Sequence, residues 1–273
     1  MKISIIIPSY KPDSYLYECL DSVCNQTLDN SQYEVLIILN GCDEPYKSQI
    51  STYINHHRDT TIRLIQTDVP GVSKARNKGI DDSKGEFLCF VDDDDIISPT
   101  YLEGLLKVSS YSCIGCSNSY AFKTKTVYKT DNFLSVAYRE CAQLNYSLFK
   151  YRHFLSPPYA KLISRKIIGE MRFPINLSKS EDSVFCLLIS PQIKAIKLAT
   201  EDVVYYQRQR LGSAMRTNRS FILHIKDLLE IEKTYFLIWV RHPFKYNFKF
   251  IMSRMLAGVK NFLYYTRFTC KIK

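Results

Sequence analysis

Four consecutive carboxylates, Asp92-Asp93-Asp94-Asp95, end an almost unbroken apolar run from Phe87 to Val91. Such a run suits a strand buried on both faces of a sheet. Side chains alternate along extended backbone, so Asp92 and Asp94 are expected to lean one way and Asp93 and Asp95 the other. Two carboxylates on one side of a strand end repel each other unless a cation lies between them. A hard divalent ion that prefers oxygen ligands, Mg2+ or Mn2+, suits that place. The plainer reading is a solvated acidic turn, but in open α/β sheets ligands collect off the carboxyl ends of the strands.

Two further stretches carry charge in a pattern that could serve chemistry. Pro70-Gly71-Val72 breaks the chain before Ser73-Lys74-Ala75-Arg76-Asn77-Lys78-Gly79-Ile80. With Ser73 as N-cap, backbone N–H groups and the cations Lys74, Arg76 and Lys78 would gather near one helix start, a good place for phosphate. A solvated basic helix face is the alternative. Downstream, Ser180 can cap a helix whose first turn holds Glu181 and Asp182. Carboxylates there are favoured by the helix dipole whatever their role, so a catalytic and a purely structural reading both remain open.

The elements that must position these residues alternate. Ile3 to Ile7 reads as a buried strand, and Asp13 or Ser14 can cap a helix with Leu16, Cys19, Leu20, Val23 and Cys24 at helical spacing. A strand at Glu34 to Leu39, a helix from about Glu44 to His57 and a strand at Ile62 to Gln66 follow. Strand, helix, strand, helix is the pattern of a parallel sheet with helical crossovers. After the aspartates, Pro99 to Val108 is expected to be a helix with Leu102, Leu105 and Leu106 inward. Tyr111 to Lys129 looks like antiparallel strands, and Leu144 to Pro158 like loop with some helix. Order resumes from Ala160 to Lys166, Ile193 to Leu198 and Val203 to Gln207 look like closing strands around a Glu201-Asp202 turn, and Arg208 to Ser213 leads out.

The chain has 273 residues, 46% of them hydrophobic, enough for one large α/β domain and an appendage. The apolar run before Pro8 is too short for a signal peptide, and no window approaches the roughly 18 apolar residues that a spanning helix requires. The expected location is therefore the cytoplasmic side. Nine cysteines, an odd count scattered through apolar segments, favour a reducing compartment. Cys113-Ile114-Gly115-Cys116 has no second pair beside it, so buried strand thiols are expected in place of zinc.

The net charge of +10 is unevenly placed. From Arg241 onward there are eight basic side chains (Arg241, Lys245, Lys249, Arg254, Lys260, Arg267, Lys271, Lys273) and no acidic one. Phe221 to Trp239 has a helical pattern, Pro243 interrupts it, and Phe244, Phe248, Ile251, Met255, Val259 and Phe262 then recur every three or four positions. A basic amphipathic helix on an anionic bilayer fits this, and a core-packing helix with a solvated basic face is the alternative. Nucleic-acid binding is disfavoured, because the cations concentrate in an amphipathic tail and not along an aromatic groove.

With those landmarks in place, the sequence resembles the inverting family 2 glycosyltransferases of the GT-A fold, of the bacterial surface-polysaccharide type. The matching pieces run in the family's order: Ile5 to Tyr10, Gly71 with Ala75 to Ile80, Gly85 to Phe87, Phe90 to Asp95, Glu181-Asp182, and Arg208 to Arg210 before Ser213. The resemblance implies a Rossmann-like, mixed and mainly parallel sheet flanked by helices, with a C-terminal helical extension. It implies a GT-A domain at 1–215, with a nucleotide-sugar half at about 1–110 and an acceptor half at 111–215, then a basic amphipathic extension at 216–273.

By that similarity Asp92, with Asp93 beside it, would approach the ribose or sugar, and Asp94 would hold the Mg2+ or Mn2+ that bridges the diphosphate. Pro8, Ser9 and Tyr10 would line the base, Arg76 would reach the diphosphate, Arg210 would complete the donor site, and Asp182, beside Glu181, would be the catalytic base. Asn40 stands where many relatives carry an acid, so it would hydrogen-bond a base without charge, which puts a uridine preference in question. No Gln-x-x-Arg-Trp motif of the processive polymerases occurs, since the one tryptophan is Trp239. The implied partners are a nucleotide-sugar donor and a glycan or lipid-linked acceptor of cell-surface polysaccharide assembly, at an anionic membrane surface. A metal-dependent nucleotidyltransferase and a noncatalytic nucleotide-sugar or membrane-binding module are the alternatives.

Overall fold

The computed structural model describes residues 1–124, 128–177, 179–210 and 221–269, with 264–269 described by backbone alone. In chain order the elements are β1 (Ile3–Ser9), α1 (Tyr15–Cys24), β2 (Tyr33–Asn40), α2 (Tyr46–His56), β3 (Thr61–Thr67), α3 (Val72–Asp82), β4 (Phe87–Phe90), β5 (Ile96–Ile97) and α4 (Tyr101–Val108). There follow β6 (Cys113–Cys116), β7 (Asn118–Phe122), β8 (Thr130–Asp131), α5 (Phe133–Cys141), β9 (Lys161–Ser164), α6 (Arg165–Ile168) and α7 (Glu181–Ile189). The chain then forms β10 (Ala195–Leu198), β11 (Val204–Arg208), α8 (Phe221–Arg241) and α9 (Phe248–Thr269).

The main sheet has the order β10-β6-β9-β4-β1-β2-β3. Only β9 runs antiparallel to its neighbours, so the sheet is mixed and mainly parallel, as the sequence implied. β1, β2 and β4 are buried along their whole length because their apolar runs do not alternate, which is what a strand covered on both faces requires. From β1 the chain builds outward through β2 to β3 and then returns to pair β4 on the other side of β1. The strand order reverses between β1 and β4, and a crevice opens at their carboxyl ends at such a point.

Helix α3 lies close against β1. A Cβ on Gly79 would sit 2.4 Å from Ile6 Cγ2, so only glycine lets the helix approach this far. Ser73 is not the cap of this helix: Gly71 occupies the N-cap at φ 140°, and Ser73 is buried one step inside. Glycine is the residue that adopts that backbone angle without strain. Likewise Ser14 and Ser180 stand at the N-caps of α1 and α7, but neither side chain caps its helix.

The expectation of antiparallel strands between Tyr111 and Lys129 needs correction. β6 pairs parallel with β10 and antiparallel with β9, whereas β7 lies in a second sheet of order β5-β11-β7-β8. At the buried Ser117 the backbone changes sheets, its N–H donating to Ala160 O while Asn118 N–H donates to Val203 O. Alternation in a sequence reports which side chains are covered, not which strand is the partner. The described cysteines are free thiols, Cys113 and Cys116 among them buried in β6. Leu211 to Ser213, Ser178, Lys271, Lys273 and the side chain of Arg267 lie outside the described residues, as does the expected domain division at 215/216.

The C-terminal extension is two-sided. Its helices α8 and α9 pack on each other and on the sheet domain through Ile231, Tyr235, Tyr246, Phe250 and Ile251, all buried. This corrects the expectation of a single lipid-facing stripe, since Ile251 turns inward and Met255 packs partly against the core. Arg254, counted with the basic surface, is also buried. Phe244, Phe248 and Val259 remain exposed. No helix is long and apolar enough to cross a membrane among the described residues.

Candidate active site

Strand β4 ends at Phe90, and Asp92 to Asp95 form a turn closed by Asp95 N–H donating to Asp92 O at 3.1 Å. The alternation expected for extended backbone is therefore lost, and each carboxylate takes its own direction. Asp92 Oδ1 accepts from Arg76 Nη2 at 3.0 Å. Asp93 Oδ2 accepts from Ser9 Oγ at 2.7 Å, which bridges the ends of β1 and β4. Asp94 Oδ2 lies 2.7 Å from Arg210 Nε, an ionic contact without hydrogen-bond alignment. Asp95 is buried and accepts from Tyr205 Oη at 2.6 Å and from Arg208 N at 2.7 Å, which makes it a brace for the turn.

The second sheet supplies that brace. The Tyr205 hydroxyl also accepts from Asp92 N at 3.2 Å, and its ring stacks on Tyr159 with centroids 4.7 Å apart. Arg208 donates through Nε to Asp94 O at 2.8 Å and through Nη2 to Glu18 at 2.7 Å. Glu18 and Tyr205 were not singled out from the sequence, and nothing in their local spacing marks them. Arg208 was legible only as part of the Arg208-Gln209-Arg210 stretch.

On the facing side, α7 brings Asp182 to the same place. Phe173 stacks on Phe185 of α7 at 3.8 Å and meets Phe90 of β4 edge-on at 5.3 Å, which seats the helix over the end of β4. Asn77 of α3 fixes Phe173 by two hydrogen bonds to its backbone, at 2.8 and 2.7 Å. Asp182 Oδ1 then accepts from Arg76 Nη1 at 2.6 Å, and Glu181 Oε1 lies 3.8 Å from the same nitrogen. One guanidinium thus faces three carboxylates.

That arithmetic sets the electrostatics. A single cation cannot neutralise Asp92, Glu181 and Asp182, and burial disfavours the charge that remains. Burial first, then Glu181 and Asp92, push Asp182 up to about 7 against the opposing pull of Arg76. Burial pushes Asp93 up to about 6, with Ser9 pulling it down and Asp94 and Asp92 adding to the rise. Asp94 is raised by burial and by Asp92, while Arg210 opposes the shift.

Several expected donor contacts look different in the structure. Arg76, expected at a diphosphate, is only 4% exposed at its side chain and is enclosed by carboxylates and the Phe173 ring. Its neighbours do not join it, because positions two apart on a helix point nearly opposite ways: Lys78 pairs with Asp82 and Lys74 is exposed. Asn40, expected at a nucleobase, donates to Ser9 O at 2.7 Å and accepts from Gly71 N at 2.9 Å. Its amide ties the end of β1 to the start of α3. Pro8 is buried in β1, Ser9 gives its hydroxyl to Asp93, and Tyr10 stands half exposed at the rim beneath Lys11.

Among the described residues no three His, Cys, Asp or Glu side chains converge as an all-protein metal cage. The donor chemistry nonetheless fits Mg2+ or Mn2+, because these ions take one or two carboxylates and complete their shell with water and phosphate oxygens. Asp94, 17% exposed at its side chain and raised first by burial and then by Asp92, is the carboxylate on which such an ion would relieve the remaining repulsion.

Residues 4–170 match the family model for glycosyl transferase family 2. The chain is 30% identical over 192 residues to the putative glycosyltransferase EpsH of Bacillus subtilis, covering 67% of this chain and 54% of that protein. The crystal structure of Staphylococcus aureus TarS 1-349 in complex with UDP-GlcNAc superposes with a TM-score of 0.64 at 20% identity, over 85% of this chain and 66% of that one. Mannosyltransferase PcManGT from Pyrobaculum calidifontis, in complex with GDP-Man and Mn2+, gives a TM-score of 0.60 at 15% identity, over 96% and 69%. The chain therefore spans about half the length of the curated relative and shares its fold with both structures.

Proposed function

The chain belongs to glycosyl transferase family 2, and on that premise we propose that it moves one sugar, with inversion, from a nucleoside-diphosphate sugar to a glycan or lipid-linked acceptor of cell-surface polysaccharide. The observation that carries the reading is the convergence of Asp92 and Asp182 on one guanidinium beside the point where the strand order reverses. Two acidic elements, one from a strand end and one from a helix start far along the chain, face each other there. That is the arrangement needed for a donor held on one side and an acceptor hydroxyl activated on the other.

Asp182 would take the proton of the acceptor hydroxyl as its oxygen bonds to the anomeric carbon and the bond to the nucleoside diphosphate breaks. A carboxylate near 7 is suited to this, because a general base works best when its pKa lies close to the working pH. Arg76 holds Oδ1, which fixes the direction of the carboxylate and leaves Oδ2 to the acceptor. A divalent ion on Asp94 would neutralise charge that builds on the departing diphosphate. Ser9 and Asp93 would keep the ends of β1 and β4, and Asn40 the end of β1 and the start of α3, at the spacing the donor requires.

We place the protein at the inner face of the cell membrane, held by the exposed apolar and basic side of α8 and α9. Phe244, Phe248 and Leu256 stand exposed there near Lys245 and Lys249, a combination that suits anionic lipid. Product analysis tests the chemistry. Free nucleoside diphosphate from a panel of UDP-, GDP- and dTDP-sugars is the expected product, whereas release of sugar 1-phosphate would mean nucleotidyl transfer and no turnover a binding module.

A further inference from the structure

The first turn of α7 is fastened from outside. Ser180 at its N-cap has φ 63°, a left-handed backbone that a side chain rarely adopts, and makes no side-chain cap. A helix start without a cap leaves backbone N–H groups unsatisfied and is prone to fray. Here the turn is gripped on one face through Asp182 by Arg76 at 2.6 Å. On another face the Ser183 hydroxyl meets the Tyr235 hydroxyl of α8 at 2.7 Å.

Tyr235 is 2% exposed and Ser183 is partly buried, so the pair is a polar contact set inside an apolar seam. Burying two hydroxyls costs free energy unless they bond each other, so simple packing of the hairpin does not call for them. The hairpin also meets the segment before β9: buried Arg254 of α9 donates through Nη1 to Ser156 Oγ at 2.5 Å, next to Pro157, whose carbonyl Cys186 of α7 contacts.

We infer that Tyr235 is a positioning residue for the Asp182 carboxylate, acting through Ser183, so that the helical hairpin of α8 and α9 is a wall of the active site. The inference rests on the reading of Asp182 as the base. Asp182 and Ser183 are adjacent in one turn, so a shift of Ser183 carries the carboxylate with it. Small displacements of a catalytic group lower the rate while leaving donor binding on the opposite side intact.

Tyr235→Phe removes one hydroxyl and nothing else, and Ser183→Ala removes its partner. Each variant is expected to lower kcat roughly three- to tenfold, the range of one lost hydrogen bond, with the donor KM unchanged. Because the two hydroxyls act as one contact, the double variant should be no slower than either single one. Amide hydrogen exchange should quicken across residues 181–185 in Tyr235→Phe while β1 and β4 keep their protection. Wild-type kcat in Tyr235→Phe would overturn the inference, as would losses that multiply in the double variant or exchange that quickens evenly over the sheet. If wild type turns over no donor, the transferase reading fails instead, and the exchange measurement still decides whether the hairpin holds α7.

Discussion

Arg76 donates to Asp182 at 2.6 Å although 106 positions separate them in the chain. The same guanidinium donates to Asp92 at 3.0 Å, so the end of β4 and the start of α7 are joined by one buried side chain. Removing the carboxylate or the cation therefore has opposite consequences for the fold.

Asp182→Asn should abolish transfer, by a factor on the order of 10² to 10⁴, while nucleotide binding persists. The same variant should be more stable than wild type at neutral pH. The folded pKa of Asp182 is raised to about 7, above its unfolded value near 4, so the folded state holds the proton more tightly across that window. Wild type then loses stability as pH rises from about 4 to about 7, and an amide does not. Melting temperatures at pH 5 and pH 8 check this, with the gain from the substitution growing toward pH 8. Equal melting curves at pH 8 would contradict the raised carboxyl.

Turnover should follow the same group. With Asp182 as base, kcat/KM is expected to rise tenfold per unit below about 7 and level off above it. A flat profile between pH 5.5 and 8 would remove Asp182 from the proton-transfer step.

Arg76→Met leaves Asp92, Asp182 and Glu181 facing each other without a cation. Breaking a buried ion pair from one side costs about 3 kcal/mol or more, and the partial exposure of the carboxylates puts the expectation at the lower end. Urea unfolding at pH 7.5 measures it. The deficit should shrink toward pH 5, where protonation relieves the repulsion.

Asp94→Ala should remove metal-dependent binding of a nucleoside diphosphate. Titration calorimetry with and without Mn2+ measures it. Affinity that stays metal-dependent in the variant would move the ion away from Asp94.

The frame of the site was readable because buried parallel strands write continuous apolar runs, as in Ile3 to Ile7 and Val35 to Leu39, and because loops after them must carry the ligands. Asp182 was readable only through resemblance, since an acidic first turn suits any helix. What the sequence concealed were the side chains that hold others in place. Asn40 presents the same residue type whether it meets a nucleobase or, as here, a backbone N–H and carbonyl. Tyr205 and Arg208 meet the aspartate turn from β11 while Glu18 of α1 holds Arg208, and no local spacing encodes such a meeting. The α8–α9 hairpin showed its apolar periodicity but not that one side, through Ile231, Phe250 and Ile251, belongs to the core.

That division of the hairpin gives the membrane proposal a sharp test. Phe244 is fully exposed and Leu256 is 65% exposed, whereas Phe250 and Ile251 are buried. Phe244→Ser with Leu256→Ser should leave the melting temperature near wild type, because neither side chain packs against the body. Each lost apolar group is worth roughly 1.5 kcal/mol or more when buried in lipid, so partition onto vesicles of phosphatidylglycerol and phosphatidylcholine should fall at least about tenfold per site. Raising the salt should weaken the wild-type interaction as well, since Lys245 and Lys249 act through a screened field. Binding that ignores both the substitutions and the salt, or no wild-type binding to these vesicles, would leave the outer face without a lipid role.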